Sequence, residues 1–507
     1  MNAWKDTFVK IMIKIVFGIF GIIILFLFLM SIVETSKLNI DEIVSYHRDF
    51  PLLHSLSFAG VCLIGVNLKK KIRCRIQPFA LYGIFFLCLS FWIFATWLYP
   101  KADQLQIMAI CPHVVEKNYQ DFYLGGYLYS QPHQIFIVYF STILYVLFGK
   151  PYVFVFQFLN SFALIGIYYL LNKFYLRLEK EGSSEIFLVI SFLFLPLVFY
   201  VTFVYGTVIG LFLSLAALES LMRYMNDLRI CHIVSCTILI LFAQLFKSNY
   251  LIFLLGFIAV LILDMIKKIN FRHMFFVFVL ISSLLLCNRL MTNFTEDMTN
   301  IHSDGGVPKI LFVAMGLQDS EHGPGWWNGY HDNTFLRNGF NVEISKEIGK
   351  KKIKEELKKM RKNPLYGFSF FLRKIASEWS EPTYESIWIQ QRRESGTDIP
   401  ELIDRLIHNG GRLAEAYTFY CNLYQSFLYF GTLFFVYVRW KKISLDELLV
   451  PVIFIGGFLF HLFWEAKGQY TLPYCVCLLP YCISGYRESL LKLERLLCQR
   501  RKKLQSL

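Results

Sequence analysis

A chain of 507 residues in which 56% are hydrophobic, 18% aromatic and only 17% charged, with a mean hydropathy of +0.47, carries too little charge to clothe a soluble domain of that length. The composition therefore excludes a soluble enzyme and a disordered chain, and predicts an all-α, polytopic helical membrane protein. The net charge of +14 does not imply nucleic acid, because the basic residues gather in short clusters beside apolar runs, as loops on one side of a membrane do.

In chain order, the first apolar run, 8–32, follows Lys5 and Lys10 and is succeeded by SIVETSK, without a small-residue cleavage pattern, so it reads as an uncleaved anchor. Spans near 52–68 and 78–99 come next, with Lys69, Lys70, Lys71, Arg73 and Arg75 between them. If that cluster is cytoplasmic, the segment 133–149 must be a re-entrant or juxtamembrane helix, so that Lys173, Arg177 and Lys180 after a span at 152–172 are cytoplasmic again. Further spans near 185–203, 205–222, 231–246, 249–266 and 273–290 keep each basic cluster on the same side. The region 291–415 then lies outside, and spans near 416–438, 447–464 and 470–486 return a basic tail to the cytoplasm. The expectation is twelve spans plus one partial helix in the cytoplasmic (plasma) membrane, with both termini cytoplasmic.

This divides the chain into a transmembrane region at 1–290 with its first large outer loop at 100–132, an outer-face region at 291–415, and C-terminal helices with a basic tail at 416–507. The outer-face region holds GPGWWNGYHDN, then ISKEIGKKKIKEELKKM, whose Ile344, Ile348, Ile353, Leu357 and Met360 recur at helical spacing. That stretch predicts a helix with a solvated, lysine-rich face over anionic head groups. The aromatic NPLYGFSFFLRKIASEW predicts a second helix lying on the membrane surface. The cysteines have neither disulfide nor metal spacing, and Cys111 alone is expected in an outward loop.

Ionisable residues crowd the expected outer mouths of the spans, while span middles are nearly free of charge. Asp103 and Gln104 follow one span; Asp121, Tyr123 and Tyr127 precede Gln131, His133 and Gln134; Lys247, Ser248 and Asn249 lie between two spans; Glu465, Lys467 and Gln469 precede the last. A carboxylate just outside hydrocarbon can take a proton from a hydroxyl, and a nearby cation can hold a phosphate. Sugar transfer from a lipid phosphate needs both, because the acceptor oxygen loses a proton while the departing phosphate needs charge compensation. Asp103 fits the first need, and Lys247 or Lys467 the second.

These residues, with an aromatic-Pro pair before KADQ, the run YLYSQPHQ, a helix closing in FGK and a late EAKGQYTLP, resemble the GT-C glycosyltransferases, above all the bacterial branch related to protein mannosyltransferases and the aminoarabinose transferase. The resemblance covers roughly residues 78–490 and rests on the order of elements. It implies a polyprenyl-phosphate sugar donor, a hydroxyl acceptor on an envelope polymer, lipid or protein, and Asp103 as catalytic base. It further implies donor contacts from Gln131, His133 and Gln134 and from the segment with Glu465, Lys467 and Tyr470; Lys247, Arg373 and Lys374 are the other cations expected around the phosphate. Substrate contacts would come from Gln104, Tyr127, Tyr205, Trp326, Trp327, Glu465 and Tyr470. Relatives carry a second acid after the span equivalent to 185–203, where TFVYGTVIG offers only Tyr205 and Thr207; either Asp121 replaces it or one carboxylate suffices. No cofactor or nucleic acid is expected, and a divalent cation, though compatible, finds no ligand set.

Bland readings stand beside these. Asp103 can cap a helix or pair with Lys101, His133 can open a helix, Lys247 can snorkel to water, and Trp326 and Trp327 can anchor at an interface. The rival function is a transporter or lipid flippase, which predicts broken helices or ionisable residues midway through spans.

Overall fold

The computed structural model describes residues 2–54, 77–98, 100–267, 270–302, 305–390, 401–407 and 411–505. The span expected at 52–68 lies largely outside them, as do the basic cluster at 69–75 and Tyr99. The described chain is a helical bundle with a single two-stranded antiparallel hairpin, Glu34–Leu38 with Val44–Arg48.

Among the described residues six helices are long and apolar enough to cross a membrane: Trp4–Val33, Pro78–Thr96, Tyr152–Leu178, Thr207–Asp227, Ser248–Lys267 and Phe271–Thr299. Their outward faces carry bare apolar side chains such as Ile22, Phe91 and Phe278, which suits a surface solvated by lipid rather than water. Their inward faces interlock in one core through Phe17, Leu89, Ile167, Leu218, Phe257 and Phe276. Ile230–Phe246 is apolar but shorter.

Several boundaries differ from the sequence reading. The span expected at 185–203 is two segments, Ser184–Phe192 and Leu195–Thr202, bent by 68°; Pro196 in the first turn of the second explains the break, since proline disfavours helix in the residue before it. The partial helix expected at 133–149 is present as Ile135–Phe148 and meets the preceding Gln120–Ser130 segment at a bend of 101°. The last expected span divides into Gly468–Cys477 and Leu479–Gln505. With each bent pair taken as one span, the described residues hold up to eight apolar crossings, against the twelve expected over the whole chain. The two stretches expected as helices in the outer-face region are helical, as Val342–Lys362 and Pro364–Trp379.

Two features bring helix ends together at one end of the bundle, here called the mouth. Gly206 opens the Thr207–Asp227 helix against the end of Ile230–Phe246, where any Cβ would strike the Phe246 carbonyl; only glycine lets Thr207 and Lys247 approach. The hairpin is strapped across the mouth by Ser36 N–H donating to the Ser380 carbonyl, Val44 N–H to His322 and Tyr46 Oη to Arg373.

Candidate functional site at the bundle mouth

The mouth gathers Lys247, Asp103, Lys467, Glu465 and Tyr470, which lie in three separate parts of the sequence. Lys247 caps the Ile230–Phe246 helix and is 8% exposed. Its Nζ donates to Thr207 Oγ1 at 2.8 Å and stands 5.2 Å from the Tyr205 ring centre and 5.3 Å from that of Tyr470. Among the described residues no carboxylate lies within ion-pair distance of it. Burial pulls its pKa down to about 7, with Glu385 and Asp103 opposing and Lys467 adding to the fall. Two aromatic faces partly replace the missing anion. An entering phosphate would supply the charge this ammonium lacks.

Asp103 begins the Asp103–Val115 helix, after Ala102 at φ 51°. Its carboxylate has no hydrogen-bond or ion-pair partner among the described residues. It is exposed, yet desolvation by surrounding protein raises its pKa. The charges it feels identify its neighbours: Lys467 and Lys247 lower its pKa, Glu42 and Asp332 raise it. The positive helix terminus pulls toward ionisation, and desolvation outweighs that pull.

Lys467 holds Glu42 at 2.6 Å, with both side chains mostly buried. Glu385 and Glu465 also raise the Lys467 pKa. One ammonium cannot neutralise three carboxylates: burial pushes Glu465 up to about 7 and Glu385 to about 8, each against the pull of Lys467. Glu465 accepts from Tyr470 Oη at 3.4 Å, and Glu385 Oε1 from the Gln469 N–H at 3.3 Å. Trp388 takes Lys101 over its ring at 3.8 Å and Lys467 at 5.4 Å.

Glu42, Glu385 and Trp388 escaped the sequence reading. One signal lies in the backbone: Glu42, Ala102, Tyr384 and Glu385 are four of nine non-glycine residues with positive φ among the described residues. Such conformations cost about 1–3 kcal/mol each and persist where packing imposes them, often at functional sites. Here they aim three acids at one lysine.

The other expected residues divide. Gln134 donates to Tyr205 Oη and contacts His133 Nε2 at 3.2 Å, while Tyr127 lies within electrostatic reach of Tyr205 and Asp103; these join the mouth. Gln104 is buried and accepts from the Val204 N–H at 2.8 Å, so it braces the wall. Asp121 is held by His113 at 3.0 Å and is not among the charges acting on Asp103. Arg373 pairs with Asp319 at 2.8 Å. Lys374 is fully buried and donates to the carbonyls of Gly316 and Trp464, both at 2.6 Å, so its ammonium is spent on backbone. Trp326 is no interfacial anchor: it is fully buried, donates to Ser377 Oγ at 2.8 Å and bridges to Ala466. Trp327 remains half-exposed beside His322. Cys111 is buried in a helix, its thiol donating to the Ile107 carbonyl, not in an outward loop. Among the described residues no group of three or more His, Cys, Asp or Glu is arranged to hold a metal ion; these carboxylates surround a lysine instead.

No protein-family model, curated protein or solved structure matches the chain. The arrangement defines a polytopic helical membrane protein with acids and lysines gathered at one end of its bundle.

Proposed function

We propose that the protein is a GT-C-type glycosyltransferase of twelve crossings, moving a sugar from a polyprenyl-phosphate donor to an acceptor hydroxyl at the outer face of the cytoplasmic membrane. The observation that carries this reading is the presence, at one end of the bundle and within reach of each other's charge, of an unpartnered carboxylate, Asp103, and a buried lysine, Lys247, that has no carboxylate in contact. In this reading the acceptor O–H proton passes to Asp103 as the acceptor oxygen bonds to the anomeric carbon. The bond from that carbon to the phosphate oxygen breaks, and the polyprenyl phosphate leaves with the electron pair. Lys247 balances the phosphate charge, and Lys467, held by Glu42, offsets part of the surrounding acidity. The raised Asp103 pKa makes it a better base than a solvated aspartate. No divalent cation is invoked, and the partners are the donor lipid, the acceptor and the surrounding bilayer.

The test is transfer by purified protein from labelled polyprenyl-phosphate sugars to a panel of hydroxyl acceptors, with Asp103→Asn alongside. Transfer by the native chain, cut about 10²–10⁴-fold in the variant, is the expected outcome; no transfer from any donor would remove the proposal. A second reading, a transporter or lipid flippase, draws support from the two bent helix pairs, since broken helices often line transport sites. It expects lipid to move across vesicles without covalent change.

A further inference from the structure

The helix Val342–Lys362 carries nine basic and four acidic side chains. Lys346, Lys350, Lys352 and Lys359 pair with glutamates of the same helix. Lys351, Lys354, Lys358, Arg361 and Lys362 are all exposed and make no ion pair among the described residues. Their spacing from Lys351 is 3, 7, 10 and 11 residues, which puts all five on one helical face, with Glu355 at its edge. The opposite side is spent inside the protein: Ser345, Gly349 and Met360 are buried, and Gly349 fits against Ile310 and Leu311.

At the end of this basic face the chain turns through Asn363 into the helix Pro364–Trp379, whose first turns expose Leu365 at 81% and Phe368 at 66%. Phe371, one turn on, packs edge-to-face on Phe463 at 6.2 Å. Phe463 and Leu459 are themselves exposed at the mouth end of Leu449–His461. The bare apolar strip of the surface helix thus continues the apolar surface of the bundle. Water does not favour this combination; a bilayer boundary does, with Leu365 and Phe368 among acyl chains and the cations among head groups.

We propose that the paired helices Val342–Lys362 and Pro364–Trp379 form a docking surface for anionic lipid, the five unpaired cations meeting acidic head groups while Leu365 and Phe368 enter the bilayer. The surface is wired to the mouth. Lys374 clamps the Trp464 carbonyl, and Trp326, held by Ser377, bridges to Ala466; the next residue in chain order is Lys467. Gly316 makes the clamp possible, since a Cβ there would strike the Phe463 and Trp464 carbonyls. Lipid docking therefore steadies the loop bearing Glu465 and Lys467. This inference does not depend on the proposed chemistry.

The experiment is amide hydrogen exchange on the full chain in nanodiscs of phosphatidylcholine alone or with 30% phosphatidylglycerol (a fraction of about one-third gives a strongly anionic surface). Residues 351–371 should exchange about tenfold more slowly in the anionic discs, the gain should fade in high salt, and it should vanish when the five cations are replaced by glutamine. A Leu365→Ser/Phe368→Ser variant should lose protection in both discs. Equal exchange in the two discs, or full protection in neutral discs from soluble polyphosphate, would overturn the proposal, the second result pointing to a water-soluble acidic partner.

Discussion

The two ends of the bundle handle buried carboxylates in opposite ways. Twelve residues, or about 18 Å of helix, beyond Thr207, Glu219 is surrounded by Lys173 at 2.6 Å and by Arg177 and Arg223 at 2.8 Å each. Nearby, Glu179 is bound by Arg487, by Arg439 at 3.2 Å and by Ser484 at 2.5 Å. Each of these two carboxylates is met by at least two cations. At the mouth, acids outnumber cations, Asp103 has no partner, and Glu465 and Glu385 are pushed up to about 7 and 8. A saturated cluster locks helices together; an unsaturated one retains protons and charge for a substrate.

That contrast can be broken or sharpened by mutation. The largest effect expected is on turnover: Asp103→Asn should lose two to four orders of magnitude of transfer while its melting temperature in detergent stays put, and a large drop in melting temperature would reassign Asp103 to structure. At the far end, Arg439→Met combined with Arg487→Met should cost about 3–5 kcal/mol of stability, because together they strand the buried Glu179. Thermal unfolding reads this directly, and a change in the pH profile instead would mean that the two ends are coupled.

Lys247→Met should leave stability unchanged or improved, since no carboxylate is stranded, but weaken phosphate-lipid binding about ten- to a hundredfold. Undiminished binding would show that the phosphate sits elsewhere. The pH dependence follows from two signs. The Asp103 base is available only above its raised pKa, so the rate climbs as pH rises through that value; Lys247 is charged only below about 7, so phosphate binding falls above it. Lys247→Arg should move the falling limb to higher pH, and a profile unchanged by this substitution would detach the limb from Lys247. The smallest effect is expected from Asp121→Asn, within about twofold of native transfer, because His113 and not the mouth holds Asp121.

The helices and the mouth lysines were legible because hydropathy and charge are written locally: an apolar run of the right length and a cation at its end need no knowledge of partners. Asp103, Lys247 and Lys467 were found in this way. Glu42 was not, because ETSKLNIDEIVSYHR reads as a short polar connection and becomes a hairpin only through its bonds to Ser380, His322 and Arg373. Glu385 sits in EPTYES, where two successive left-handed residues orient it and no periodic pattern announces them. Lys374 and Trp326 misled for the converse reason. Their residue types fit phosphate and sugar, but helix packing turned them inward onto the Trp464 carbonyl and Ser377.

The most direct measurement is a structure of the protein with polyprenyl phosphate bound. The account predicts phosphate oxygens within hydrogen-bonding distance of Lys247 Nζ, about 2.7–3.2 Å, beneath the Tyr205 and Tyr470 rings, with Asp103 facing the vacant sugar position. A phosphate held at the far end by Arg439 or Arg487, or a lipid chain that leaves Lys247 untouched, would contradict it.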